Sequence, residues 1–352
     1  MTMSDSPQIA PLLFAWYGRV GRDLPWRHTR DPYRIWLSEI MLQQTTVTAV
    51  IPYYQRFLAR FPDIGVLAAA SAEEVVEAWA GLGYYSRARN LHAAARQVME
   101  KHGGNFPASQ EELSALPGIG RSTAGAIRAI AHQERGVILD GNVRRVLVRL
   151  FALDGDPRCT PAEKQLWLWA ETLTPLERAD DYAQAIMDLG ATCCTPTKPN
   201  CPECPLAPYC QAYTQKRQDE LPQARVTKAV PTVIQVGLFL TDKKGRLLVR
   251  RRPMSGLLGG LWEFPTGEVL PGATPEMTAR LLLQELGGDG TVQEAGTVAH
   301  AYSHFKLDLR LYRARADSAG YVAEGEHNWR APDDLRELAL HGAHKKALKF
   351  ID

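Results

Sequence analysis

The chain has 352 residues, enough for two domains with separate cores, and its 45% hydrophobic and 23% charged content is that of an ordinary globular protein. A formal net charge of +2 excludes any argument from bulk electrostatics, so contact with nucleic acid would have to come from local geometry. No apolar run reaches membrane-spanning length, and no basic stretch leads an apolar one at the N-terminus. The expectation is a cytoplasmic monomer, nucleoid-associated if the source is bacterial, with no membrane attachment.

Residues 7 to about 192 read as helix after helix, with apolar residues recurring three and four apart and Gly-Pro punctuation between the runs. One run closes at Trp79-Ala80; others cover 88–101 and 124–132. The stretch from Asp31 to Thr45 predicts a mostly apolar helix that carries Glu39, where a solvated outer-face glutamate is the plain reading. Further on, Leu116-Pro-Gly118-Ile-Gly120-Arg-Ser122-Thr-Ala124 joins two helices through a glycine turn. Gly118 and Gly120 let the backbone come close to a partner, and the helix starting near Ser122 aims its unpaired N–H groups the same way. That is a recipe for holding a phosphate, although a simple helix–helix connection uses the same residues. Asp140 follows twenty residues later in Val-Ile-Leu-Asp140-Gly-Asn142; it suits a helix N-cap, a role Asn142 could also fill.

Five of the six cysteines fall between Cys193 and Cys210, which favours metal ligation over a disulfide framework. Cys194, Cys201, Cys204 and Cys210 have the spacing C-x6-C-x2-C-x5-C. Four thiolates in one short loop suit either tetrahedral zinc or a [4Fe–4S] cubane, although zinc loops more often use two separated C-x2-C pairs. A redox role for Cys201 and Cys204 alone would leave Cys194 and Cys210 unexplained. Cys159 and Cys193 read as ordinary buried thiols. The polar stretch 214–230 reads as a linker. Beyond Pro231 the texture changes to strands at 233–240, 246–251, 292–300 and 304–313, with helices at 275–285 and 343–350. This is a separate α+β domain.

Together the glycine hairpin and Asp140 resemble the helix-hairpin-helix glycosylase superfamily signature, and the cysteine spacing resembles the cluster loop of endonuclease III and its relatives. The stretch Leu24-Pro-Trp26-Arg27 through Thr45 closely resembles the adenine DNA glycosylases of the MutY type. The segment Gly256-Leu-Leu-Gly-Gly-Leu-Trp262-Glu-Phe-Pro-Thr-Gly267-Glu, followed by a helix, resembles a Nudix fold. In its box only Glu285 survives, because Leu281 and Gln284 stand at two of the acidic positions, so hydrolysis of a pyrophosphate is not expected. The resemblance runs from about residue 11 to 350. It implies a mainly α glycosylase domain over 1–213 with a [4Fe–4S] loop at 194–210, a linker over 214–230, and a Nudix-like 8-oxoguanine-recognition domain over 231–352.

The resemblance also implies roles. Glu39 would be the general acid that protonates adenine at N7, held protonated by an apolar pocket, while a charged Asp140 stabilises the cation developing at C1′. Trp26, Arg27, Gln184, Ser122 and Asn142 would contact the substrate, Gln44 and Tyr84 would wedge into the base stack, and Gly118 and Gly120 would hold DNA phosphate. The cluster would fix a loop whose Lys198 and Arg217 face phosphate. Tyr302, Ser303 and His304 would read 8-oxoguanine; zinc at His300 and His304 lacks further ligands. Lyase-competent relatives carry a lysine where this chain has Ser122, so a monofunctional enzyme is expected. Its partner would be double-stranded DNA with adenine opposite 8-oxoguanine or guanine. The rivals are another base specificity, a non-catalytic DNA-binding protein, and a nucleotide pyrophosphatase acting through the C-terminal domain.

Overall fold

A computed structural model describes residues 6–223, 230–288, 290–302, 304–316 and 327–351; Ser303 lies outside the described residues. The chain forms two compact units. One comprises Met1–Ala69 with Asn90–Thr227, and the other Ala70–Arg89 with Lys228–Asp352. No helix among the described residues is long and apolar enough to cross a membrane.

The first unit is helical. Its helices are α1 (Ser6–Val20), α2 (Pro32–Leu42), α3 (Val47–Arg60) and α4 (Ile64–Ala69). The next, α5 (Ala72–Ala78), belongs to the second unit, and α6 (Ser86–His102) runs from the second unit into the first. Then come α7 (Gln110–Ser114), α8 (Arg121–Ile130), α9 (Gly141–Leu150), α10 (Thr160–Leu173), α11 (Ala179–Asp188) and α12 (Gln211–Thr214). Local chemistry sets several of the starts. At α2, Pro32 pre-sets the first turn and the Asp31 carboxylate accepts the Tyr33 N–H at 2.9 Å. The body of α2 then buries Ile35, Trp36, Leu37, Ile40 and Met41, which leaves Glu39 as a carboxyl within an apolar helix. One core joins Ile9 and Leu13 of α1 to Leu147 and Leu150 of α9, Leu166 of α10 and Ile186 of α11.

Residues 215–223, expected as the start of a linker, are packed on this unit instead. Leu221 is buried, and its carbonyl accepts the Nε–H of Arg149, a side chain itself buried in α9. The Gly155 N–H donates to Gln223 Oε1 at 3.0 Å, and Arg217 pairs with Asp154 and Glu220. A buried guanidinium needs acceptors, and this nominally polar stretch supplies one.

Among the described residues the second unit holds a seven-stranded sheet: β1 (Thr232–Thr241), β2 (Leu247–Arg251), β3 (Trp262–Glu263), β4 (Thr266–Glu268), β5 (Gln293–Ala301), β6 (Lys306–Arg315) and β7 (His327–Arg330). The order is β3-β2-β1-β6-β5, with β1 and β6 parallel, β4 added to β1 and β7 to β2. Alternation along β1 divides its residues between two cores. Val236, Leu238 and Leu240 meet Ala279, Leu282 and Leu283 of α13 (Pro275–Glu285), whereas Phe239 joins Ala343 and Ala347 of α14 (Gly342–Ala347). The sheet is therefore covered on both faces, which matches the α+β expectation from strand and helix patterning.

Candidate active site

A cavity of about 590 Å³ opens in the first unit between α2, α8, α9 and α11. It brings together seven of the expected site residues: Trp26, Arg27, Glu39, Ser122, Asp140, Asn142 and Gln184. Glu39 comes from the last turns of α2. Burial, then the nearby charge of Asp140, pushes its carboxyl up from 4.5 to about 7, with Arg27 pulling the other way. Among the described residues nothing donates a hydrogen bond to it, so only the nearby charge of Arg27 favours its charged form.

Asp140 stands on the opposite wall as the N-cap of α9, where Oδ1 accepts the Val143 N–H at 2.7 Å. Burial pushes this carboxyl upward too, but the N–H groups of Val143 and Asn142 and the charge of Arg145 act against it. Helix cap and cavity carboxylate, which the sequence offered as alternatives, are thus one side chain. Asn142 leaves the capping to Asp140, and its Oδ1 accepts from Arg145 at 2.9 Å. Ser122 Oγ accepts the Leu139 N–H at 2.9 Å, which ties the hairpin helix to the segment leading into Asp140. Trp26 is buried edge-on against Tyr54 with ring centroids 5.4 Å apart. The Tyr17 hydroxyl donates to Gln184 Oε1 at 3.3 Å.

The two hairpin glycines have different reasons to be glycine. Gly118 has φ +77°, and a Cβ there would stand 2.9 Å from Asn90 Cβ. Gly120 has an ordinary φ of −89°, and a Cβ would meet nothing within 4 Å. Gly120 caps α8 without a side-chain acceptor, so the first N–H groups of α8 are open to an outside anion. Only Gly120 therefore fits the expected close backbone approach. Gly118 serves the turn and its packing.

The sequence matches the description "HhH-GPD superfamily base excision DNA repair protein" over residues 37–172 and "NUDIX domain" over 236–350. An adenine DNA glycosylase of Mus musculus is 36% identical over 398 residues, covering 97% of this chain and 77% of its own. One from Buchnera aphidicola subsp. Acyrthosiphon pisum is 42% identical over 299 residues, covering 85% of this chain and 84% of its own. The chain belongs to the adenine DNA glycosylase family. A thermostable thymine-DNA glycosylase shares the fold of part of this adenine DNA glycosylase, with a TM-score of 0.56 and 30% identity. The match covers 60% of this chain and 98% of that one. A non-covalent endonuclease III–DNA complex does so at 0.52 and 22%, a likeness of fold alone.

The cysteine loop of this adenine DNA glycosylase follows a π-turn at Leu189–Cys193. Arg149 donates to Cys194 Sγ at 3.3 Å and to the carbonyls of Thr195 and Pro196, and Arg145 donates to the Cys194 carbonyl at 2.8 Å. Cys193 is buried as expected, but Cys159 is exposed ahead of α10, because Ala162 and Leu166 take the inward positions. Arg217 is spent on Asp154 and Glu220 and does not face outward as a free cation, whereas Lys198 is exposed.

Gln44 and Tyr84 share an uncommon feature. Both have left-handed backbones, φ 57° and 50°, and both side chains are exposed. In the second unit His304 is exposed, while Tyr302 is half-buried with its hydroxyl 2.9 Å from His341 Nδ1. His341 Nε2 lies 3.4 Å from Glu263, whose two oxygens accept from Arg250 and Arg252 at 2.7 Å each. Among the described residues Glu263, His341 and His344 are the group of three potential ligands with donor atoms within 4.8 Å of one another. A cation does not suit them. Two guanidiniums already neutralise Glu263, and the Phe264 N–H donating to His344 Nδ1 leaves the proton on Nε2. On α13, Leu281 and Gln284 are exposed, and Glu285 is the one box carboxylate.

Arg22, which lines the cavity, and Tyr17 and Asp188, which hydrogen-bond to cavity residues from outside it, were not singled out by sequence. Asp188 is buried and accepts from both Arg22 and Arg27, residues more than 160 positions away. No local spacing signals such a pairing.

Proposed function

We propose that this chain is a monofunctional glycosylase that removes adenine mispaired with 8-oxoguanine or guanine, with Glu39 as general acid and Asp140 stabilising the oxocarbenium ion. The observation that carries the proposal is one cavity lined by two carboxyls that burial pushes upward, of which only Asp140 accepts backbone N–H groups that favour its charged form. Protonation at N7 turns adenine into a good leaving group, and a carboxyl titrating near 7 can supply that proton at neutral pH. Charge then grows at C1′, where an ionised Asp140 offsets it. Trp26, Arg27, Asn142 and Gln184 enclose the extruded base, and Ser122 presents a hydroxyl where an amine would be needed for Schiff-base chemistry.

Extrusion needs a filler for the vacated stack, and the exposed, left-handed Gln44 and Tyr84 are placed on turns that could supply one. The open N-terminus of α8 at Gly120, with Gly118 shaping the turn, would hold a phosphate of double-stranded DNA. Tyr302, Ser303 and His304 are assigned to the damaged guanine on resemblance alone. A [4Fe–4S] cluster held by Cys194, Cys201, Cys204 and Cys210 fits the donor set. No three of these sulfurs lie within 4.8 Å of one another, whereas zinc–sulfur bonds of about 2.3 Å would draw all four to roughly 3.8 Å. When bound, the cluster would supply a rigid anchor for the loop.

Excision from duplexes bearing adenine opposite each of the four bases and 8-oxoguanine tests the reading. Cleavage confined to 8-oxoguanine and guanine partners is expected, with no borohydride-trapped adduct. Preferential loss of another base, or a strong adduct, would overturn it.

A further inference from the structure

Asp188, the last residue of α11, is fully buried and lies behind the cavity wall. Its Oδ1 accepts from Arg22 Nε at 2.8 Å, Arg22 Nη2 at 2.5 Å and Arg27 Nη2 at 2.6 Å. Its Oδ2 accepts from the Arg22 backbone N–H at 3.0 Å and from Arg27 Nη1 at 2.8 Å. Both arginines line the cavity, and Arg27 also donates to the Arg22 carbonyl at 2.8 Å. One carboxylate thus organises two guanidiniums. Burial favours the neutral forms of Asp188 and Arg27, yet the contact keeps Asp188 below the usual carboxylate range and Arg27 above its usual value.

Arg27 is also the cation whose charge reaches Glu39, but it makes no hydrogen bond to that carboxyl; its donors point at Asp188. A guanidinium released beside a buried carboxyl would pair with it and hold it ionised. We propose that Asp188 is a positioning residue that turns Arg22 and Arg27 into the cavity wall and away from Glu39, so that Glu39 keeps its proton for the leaving base. This rests on the reading of Glu39 as the acid. The other charged or titratable groups facing these side chains are Asp140, whose charge reaches Glu39, and Tyr17 toward Arg27, with Asp181 in turn acting on Tyr17.

The test is the pH dependence of single-turnover adenine excision by the full-length holoenzyme on an adenine:8-oxoguanine duplex. Asp188→Asn keeps the shape but removes the charge, and its amide cannot accept five N–H groups. Its alkaline limb is expected to move to lower pH by at least about one unit, leaving excision at pH 8, with each enzyme normalised to its own plateau, roughly tenfold slower than wild type. Most of the rate should return near pH 5.5. A residue that served only the fold would lower the plateau at every pH and leave the midpoint in place, which would overturn the proposal. If Asp188→Asn does not fold, the charge-compensated pair Arg22→Gln, Asp188→Asn is measured, with the same shift expected. Loss of fold in both assigns Asp188 to stability alone and also overturns the proposal. A wild-type profile with no alkaline limb near pH 7 refutes instead the reading of Glu39 on which this one depends.

Discussion

The pH profile of the wild-type enzyme is the most direct consequence of the cavity's electrostatics. A glutamate in water titrates near 4.5, whereas Glu39 is pushed up to about 7. At pH 7 about half of the molecules would carry the proton on Glu39, against roughly 0.3% for an unperturbed carboxyl, so burial supplies on the order of a hundredfold more competent enzyme. Above pH 7 the protonated fraction itself falls, approaching tenfold per unit, and between pH 7 and 9 it drops about fiftyfold. Single-turnover excision measured from pH 5 to 9, with enzyme in saturating excess over the duplex, should fall along this limb. Glu39→Gln cannot donate a proton and should lose about 100- to 10,000-fold relative to the wild-type acidic plateau while duplex binding persists. A wild-type rate that is flat to pH 9, or a Glu39→Gln variant with near-normal excision, would refute the assignment.

Three further outcomes follow from the same geometry. The folded-state pKa of Glu39 lies above its unfolded value, so its contribution to stability is fully present below about pH 4.5 and is lost as pH rises toward 7. Glu39→Gln should therefore melt higher than wild type at pH 8, by about 1–3 kcal/mol after allowing for solvent in the cavity, and gain nothing at pH 4; equal melting at both would count against burial as the cause. Gly118→Ala forces a Cβ onto a left-handed backbone and against Asn90, and should cost about 1–3 kcal/mol in thermal melts, whereas Gly120→Ala, with open space ahead of it, should weaken duplex binding more than it lowers stability. Arg149→Met leaves the carbonyls of Thr195, Pro196 and Leu221 without their donor; a stability loss of at least about 2 kcal/mol is expected, and a melt within a degree of wild type would contradict the assigned packing.

What was legible in the sequence was the chemistry written in short range. The cysteine loop, the glycine hairpin and the Pro275–Glu285 helix each declare themselves within fewer than twenty residues, because a loop that holds a cluster or a turn that needs left-handed backbone must be built locally. Glu39 was legible as an anomaly, a lone carboxyl in an apolar helix. Asp188 was not, because its partners lie in the segment after α1 and only the fold brings them together. Residues 215–223 misled for a related reason. Their composition is that of a linker, but Leu221 and the backbone around it satisfy a buried arginine, a need that belongs to another part of the chain. Cys159 misled in the opposite sense, since thiols are usually buried and here the helix places Ala162 and Leu166 inward instead.

The contrast between the two carboxyls follows from where each sits on its helix. Glu39 lies in the body of α2, where the backbone N–H groups are committed to carbonyls one turn back, so the helix offers its charged form nothing. Asp140 caps α9, where the first N–H groups have no carbonyl behind them; Val143 donates to the carboxylate, and the positive end of the helix dipole stabilises negative charge at that point. Both groups pay for leaving water, but only Asp140 is given donors in return. The charge retained on Asp140 then raises the pKa of Glu39 across the cavity, so the cap that starts α9 also helps to keep the proton on α2. An acid and an anion on facing walls therefore require no unusual residue, only one carboxyl at a helix start and another in a helix interior.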